Sequence, residues 1–257
     1  MCFDLDSTPP ISSDAARSAV TGTPITLTSA DGTSFAAFLA RPARPSGVGV
    51  VVLPDVRGLF RFYELLAARL AEQGHTALAI DYFGRTAGLG PRPANFPFME
   101  HIVRVTRQTI DEDIEAAGQF LRGPDEGSCA PVLALGFCFG GRQAFLASAP
   151  RFGFAGVVGF YGMPGFYPNG AAGPTQRAAE LSAPILGIFG GADEGIPPKE
   201  IEAFDAALTA AGVKHEFVVY PGAGHSFFDI KYEEHAAACS DAWSRVLAFI
   251  RERSRQA

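Results

Sequence analysis

Gly136-Phe137-Cys138-Phe139-Gly140-Gly141 sits between two stretches of different character. Before it runs Pro131-Val-Leu-Ala-Leu135, short and apolar, which reads as a buried strand. After it comes Arg142-Gln-Ala-Phe-Leu-Ala-Ser-Ala149, which reads as a helix. A strand, a glycine turn and a helix are the setting of a nucleophile elbow, G-x-[Ser/Cys]-x-G. The turn is so tight that side chains flanking its apex would collide, so glycine is needed there. Cys138 occupies the apex, with its sulfur expected to be exposed above a helix N-terminus. An apex cysteine rather than serine narrows the chemistry to thiol catalysis.

Outward from the elbow, strands and helices alternate. Ile25–Ser29 and Ser34–Leu39 flank Asp31-Gly32, a hairpin signal. Val48–Leu53 is a continuous apolar run of parallel-strand type. A helix over 62–73, with Leu65, Leu66, Ala68, Leu70 and Ala71 inward, stops at Gly74. A strand over 76–81, a long loop 82–98 and a helix 99–121 lead back to the elbow. Beyond it the pattern predicts a strand 154–160, a Gly/Pro-rich excursion 162–176 and a strand 184–189. A helix 198–211, a strand 215–220 and a final helix 231–253 follow. Such alternation implies right-handed crossovers and a mainly parallel sheet flanked by helices, an α/β fold. With no linker, repeat or shift of composition, one domain over 22–257 is expected behind an irregular arm, 1–21.

Composition excludes several classes. Hydrophobic residues make up 47% and charged residues 19%, the balance of a chain with a sizeable core. Net charge is 21 − 27 = −6 without a basic stripe, so nucleic acid and anionic membrane are poor partners. No apolar run approaches the roughly 20 residues that span a bilayer. The first ten residues carry acids where a signal peptide carries bases, so a cytoplasmic protein is expected. The four cysteines, 2, 129, 138 and 239, have neither a Cys-x-x-Cys pair nor metal-ligand spacing. Cys129 and Cys239 read as small buried hydrophobes, and no metal or cofactor is expected.

A thiol near pKa ~8.5 is mostly protonated at neutral pH and needs a base to become a nucleophile. Two later loops offer partners. Phe189-Gly-Gly-Ala-Asp193 puts Asp193 just past one strand, and Tyr220-Pro-Gly-Ala-Gly-His225 puts His225 just past another. Alone, Asp193 reads as a turn residue or helix cap, with Glu194 a competitor, and His225 as either a packed histidine or a catalyst. Together with Cys138 they follow the order nucleophile, acid, histidine of α/β-hydrolases, at the strand ends where such sheets bind ligands. His75, His101, His215 and His235 lack that frame. An oxyanion hole would draw on the Phe139 N–H and, from Leu53-Pro-Asp-Val-Arg-Gly58, on the Val56 N–H.

The cysteine elbow, Gly-Ala-Asp193, Gly-His225-Ser-Phe and the short length together resemble the dienelactone hydrolase (carboxymethylenebutenolidase) family over roughly residues 25–250. Polyester synthases also carry a cysteine elbow, but they are much longer chains. The resemblance implies an α/β-hydrolase fold and a triad of Cys138, His225 and Asp193 that opens an enol-lactone bearing a carboxylate. It also implies a carboxylate that governs the thiol, here Asp55 in place of glutamate. Arg85 would be one substrate-binding arginine. The second falls on Asp229, which cannot hold an anion, leaving Arg57 or Arg61 to restore the charge. Phe83, Phe96, Phe98, Tyr161, Phe227 and Phe228 are expected to line the pocket. The partner expected is a small ester or lactone, and the protein a monomer or small homo-oligomer. A thioesterase or general carboxylesterase on the same triad, a non-catalytic binding protein and a thiol redox sensor are the other readings.

Overall fold

The computed structural model describes residues 4, 6–12, 20–90, 92–93, 95–124 and 128–255. Cys2 and most of the arm expected before residue 22 lie outside them. Among the described residues eight strands form one sheet: β1 (Val20–Thr28), β2 (Ser34–Pro42), β3 (Gly49–Leu53), β4 (Thr76–Ile80), β5 (Val132–Phe137), β6 (Val157–Phe160), β7 (Ile185–Gly190) and β8 (His215–Tyr220). Their order across the sheet is β1-β2-β4-β3-β5-β6-β7-β8. β1 and β2 pair antiparallel, β2 joins β4 antiparallel, and every later pairing is parallel. This is the mainly parallel sheet that the alternation of elements implies, in the α/β-hydrolase arrangement that the family resemblance implies.

Sequence explains which strands lie inside. β3 to β7 are buried along their whole length, as continuous apolar runs covered by helices on both faces must be. β1, with its threonines and Pro24, forms one edge, where a missing N–H leaves no gap in the ladder. β8, at the other edge, has no buried residue: Glu216 and Val219 are exposed and the rest half-buried.

The helices are α1 (Arg61–Glu72), α2 (Gly84–Ala87), α3 (Phe98–Ile102), α4 (Arg107–Arg122), α5 (Phe139–Leu146), α6 (Pro198–Ala211) and α7 (Ala236–Ser254). Along α1 the buried apolar positions are Phe62, Tyr63, Leu66, Ala67, Leu70 and Ala71, one residue round from the expected stripe. The helix expected over 99–121 is two. Thr106 turns extended and caps α4, its hydroxyl taking the Thr109 N–H while the Thr109 hydroxyl takes the Thr106 N–H. The long loop likewise contains α2. Among the described residues no helix is long and apolar enough to cross a membrane.

Register aligns the carboxyl ends that matter. Leu53 lies beside Gly136, Phe137 beside Phe160, and Gly190 beside Tyr220. The loops after β3, β5, β6, β7 and β8 therefore leave the sheet along one rim.

Candidate active site

β5 ends and α5 begins with a single residue between them, Cys138 at φ 53°, ψ −112°. That left-handed conformation costs a non-glycine residue of the order of 1–3 kcal/mol and persists only where the surroundings enforce it. Here they do. A Cβ on Gly136 would stand 2.0 Å from the Gly140 carbonyl oxygen, and one on Gly140 2.1 Å from that of Leu53. The Cys138 N–H donates to the Phe160 carbonyl at 3.0 Å. Three of the four described non-glycine residues with positive φ are Cys138, Tyr161 and Ser226, all on this rim. Strain is thus concentrated around the thiol, which is half-buried, while Cys129 and Cys239 are buried as expected.

Asp193 and His225 meet. Asp193 Oδ2 lies 2.6 Å from His225 Nδ1, and Asp193 Oδ1 accepts the Gly195 N–H at 2.9 Å. A carboxylate only accepts, so Nδ1 carries the proton and Nε2 is the basic nitrogen. Asp193 is buried and the imidazole partly open to a cavity of about 600 Å³, bordered by Asp4, Glu194 and Tyr232. The Tyr161 ring packs 5.0 Å from the imidazole. Elbow and histidine loop therefore flank the end of β6, joined through Phe160 and Tyr161.

On the other side lies the loop after β3. Phe139 is the first residue of α5, so its N–H has no acceptor within the helix. Val56 is half-buried in the turn opposite. Asp55 is fully buried; its oxygens accept the Arg57 N–H at 2.8 Å and the Arg57 guanidinium at 3.2 Å. Burial raises its pKa above the ordinary carboxylate range, with Arg57 opposing. Tyr82, which the motifs did not single out, donates to the Pro54 carbonyl at 2.9 Å and packs edge-on against Phe139 at 5.3 Å. Burial, and after it the charges of Asp55, Asp81 and Cys138, lift its phenol well above 10. It holds the two candidate oxyanion loops in register.

Several expected substrate contacts are placed elsewhere. Arg85 bonds Asp31 at 2.8 Å and both oxygens of Asp113 at 2.9 Å, with Glu112 at 3.5 Å. The Asp31 carboxyl is held down to about 2, chiefly by that hydrogen bond. Three acids, on the hairpin turn and α4, thus hold the Arg85 guanidinium. Tyr161, Phe227, Phe83 and Phe228 are core rather than lining, fully buried behind the loops. Asp229 is buried too, its side chain taking the Lys231 N–H at 3.2 Å. Arg61 is exposed and pairs with Glu64.

Phe96 and Phe98 do line a cavity, of about 300 Å³, with Phe60, Arg57 and Arg92. Arg92 was missed because nothing local marks it within a long loop. Its guanidinium donates to Asp81 at 2.7 Å and lies over the Phe96 ring at 5.1 Å. Asp81 also accepts the N–H groups of Leu59 and Phe83, tying the two loops together.

The model of the dienelactone hydrolase family matches residues 35–254. The chain belongs to that family. A Methylorubrum extorquens relative provisionally named carboxymethylenebutenolidase is 31% identical, over 79% of this chain and 71% of its own. An Escherichia coli relative with the same provisional name is 30% identical over 86% and 83%. A crystal structure from Klebsiella pneumoniae, provisionally named a dienelactone hydrolase, superposes with TM-score 0.78 at 27% identity, covering 91% and 99%. Membership of this carboxymethylenebutenolidase-like family makes the chain a hydrolase of the carboxylic ester class.

Proposed function

We propose that the protein hydrolyses ester or lactone bonds with Cys138 as nucleophile, His225 as base and Asp193 as its orienting acid, through an acyl-thiol intermediate. The observation that carries this is the 2.6 Å Asp193–His225 contact on the same rim as a cysteine in a strained elbow. The Cys138 sulfur attacks the carbonyl carbon. The N–H groups of Phe139 and Val56 receive the oxyanion. His225 Nε2 takes the thiol proton and delivers it to the departing alkoxide or enolate, leaving a thioester on Cys138. Nε2 next takes a proton from water, whose oxygen attacks the thioester and releases the acid and the thiol.

Asp55 has a part in this reading. It sits on the loop after β3, and a carboxylate that faced the thiol from there would disfavour the thiolate and keep Cys138 protonated until substrate arrives. Its bonds to Arg57 hold it in place for that role.

The test is to mix the enzyme with 4-nitrophenyl acetate, quench in acid and map the peptides by mass. An acetyl group on the Cys138 peptide, absent in Cys138→Ala, is the expected result. Rapid turnover with no acyl group on Cys138 and undiminished activity of Cys138→Ala would overturn the assignment.

A further inference from the structure

Two buried tyrosines grip one peptide unit of the loop after β3. The Tyr82 hydroxyl donates to the Pro54 carbonyl at 2.9 Å, and the Asp55 N–H donates to the Tyr63 hydroxyl at 2.8 Å. Those two backbone groups belong to the same peptide bond. It is trans, so its C=O and N–H point in opposite directions and the phenols hold it from its two sides. Turning the peptide plane about the chain breaks both hydrogen bonds at once. Both tyrosines are buried, so breaking them leaves backbone groups unsatisfied away from water.

The same two rings touch the elbow. Tyr63, from α1, packs against Phe137 with centroids 5.9 Å apart, and Tyr82, just past β4, packs edge-on against Phe139 at 5.3 Å. Phe137 and Phe139 are the residues on either side of Cys138. The gripped peptide lies close as well: a Cβ on Gly140 would stand 2.3 Å from the Pro54 carbonyl oxygen. Each tyrosine thus joins one flank of Cys138 to one end of the Pro54–Asp55 peptide. Filling the core would take only phenylalanine at these places; what the hydroxyls add is orientation. The next peptide carries the Val56 N–H, and its carbonyl, that of Asp55, accepts the Gly58 N–H at 3.0 Å. With the first peptide clamped and the second tethered by its carbonyl, the Val56 N–H has a fixed direction.

We infer that Tyr63 and Tyr82 are a pair of positioning residues, a brace whose two hydroxyls set the direction of the Val56 N–H relative to the Cys138–Phe139 elbow. They act through the backbone of the loop after β3. That role rests on the reading of Cys138 as nucleophile and of the Phe139 and Val56 N–H groups as oxyanion donors, and adds to it what aims one of those donors. Its effect falls on steps in which charge develops on the carbonyl oxygen, and on no other reaction of the thiol.

Tyr63→Phe, Tyr82→Phe and the double variant keep the rings and remove the hydroxyls, and urea unfolding checks that each is folded. Two reactions of Cys138 are then timed by peptide mass mapping. Acetylation by 4-nitrophenyl acetate passes through an oxyanion; alkylation by iodoacetamide displaces iodide at a saturated carbon and forms none. Both are read at the plateau of their pH profiles, so that a shift in the thiol's pKa does not enter. Each single variant should acetylate roughly tenfold more slowly or worse while alkylating within about twofold of wild type. A rigid plane released at one end pivots about the other, so the double variant should acetylate within about threefold of the slower single. Unchanged acetylation in all three variants overturns the brace. So does a fall in acetylation matched by an equal fall in alkylation, which would make the hydroxyls props of the whole elbow. Losses that multiply in the double variant would mean two independent contacts and overturn the pairing. Wild type tests the underlying reading separately: turnover of the ester without acetyl on Cys138 sinks the thiol mechanism and the brace with it, whereas equal acetylation of wild type and variants removes the brace alone.

Discussion

At the scale of the residue, the thiol at the elbow should behave unlike the other described cysteines. Cys138→Ala should lower kcat by roughly 10³-fold or more while circular dichroism stays unchanged. Iodoacetamide at pH 8, followed by peptide mapping, should label Cys138 first. Cys239 is buried, donates to the Phe227 carbonyl at 3.3 Å and has its pKa pushed up to about 11 by burial. Equal labelling of Cys138 and Cys239 would count against a thiol presented at the elbow. The elbow itself was legible because its glycines, strand and helix are contiguous in sequence. Asp193 and His225 were legible through their order and their place just past strands. The pairing of Arg85 could not be read, because it depends on Asp31 and Asp113, acids 54 and 28 positions away that only the fold brings together.

At the scale of the element, Arg85 clasps the hairpin turn to α4. Arg85→Met should cost about 1–3 kcal/mol in urea unfolding, since it strands the buried Asp113, discounted for partial exposure of the pair. The ratio of rates on anionic and neutral esters should not move, whereas a substrate-reading arginine would change it. His75, between α1 and β4, gives a second test. Burial, and after it the charge of Arg251, lowers its pKa from 6.5 to about 4, and its Nδ1 lies 3.0 Å from the Ser46 hydroxyl. The folded state resists a proton that the unfolded chain accepts. Stability from this residue is therefore complete above pH 6.5 and is lost as pH falls to about 4. The full difference is about 3 kcal/mol. Subtracting the His75→Gln profile from that of wild type should isolate a loss confined to that window; parallel profiles would refute it. The break between α3 and α4 shows where periodicity misleads. Apolar residues continue at helical spacing across it, and only the reciprocal Thr106–Thr109 bonds betray a new start.

At the scale of the molecule, the alternating apolar runs made the parallel sheet readable, because strands covered on both faces carry their burial in their own sequence. The cavity was not readable in the same way. Its walls come from the loop after β3, the long loop after β4 and the amino-terminal arm, and no local pattern records that meeting. The arm is part of the architecture: Ser7 and Pro9 are buried and the Thr8 carbonyl accepts the Ile230 N–H at 3.1 Å. Deleting residues 1–12 should lower the melting temperature by roughly 2–4 °C, the shift about 1 kcal/mol produces in a chain of this size. No change on scanning fluorimetry would mean that the arm contributes nothing to stability.

Asp4 stands at the rim of both cavities, and that has a practical side for anyone producing the protein. An affinity tag fused ahead of Met1 ends three residues of sequence before Asp4, the acid that would stand at the doorway of the proposed site. Its histidines or acids would then add to the charge at that doorway, and rates measured on charged substrates would report partly on the tag. Fusion after Ala257, or removal of an amino-terminal tag before assay, keeps the measurement on the enzyme.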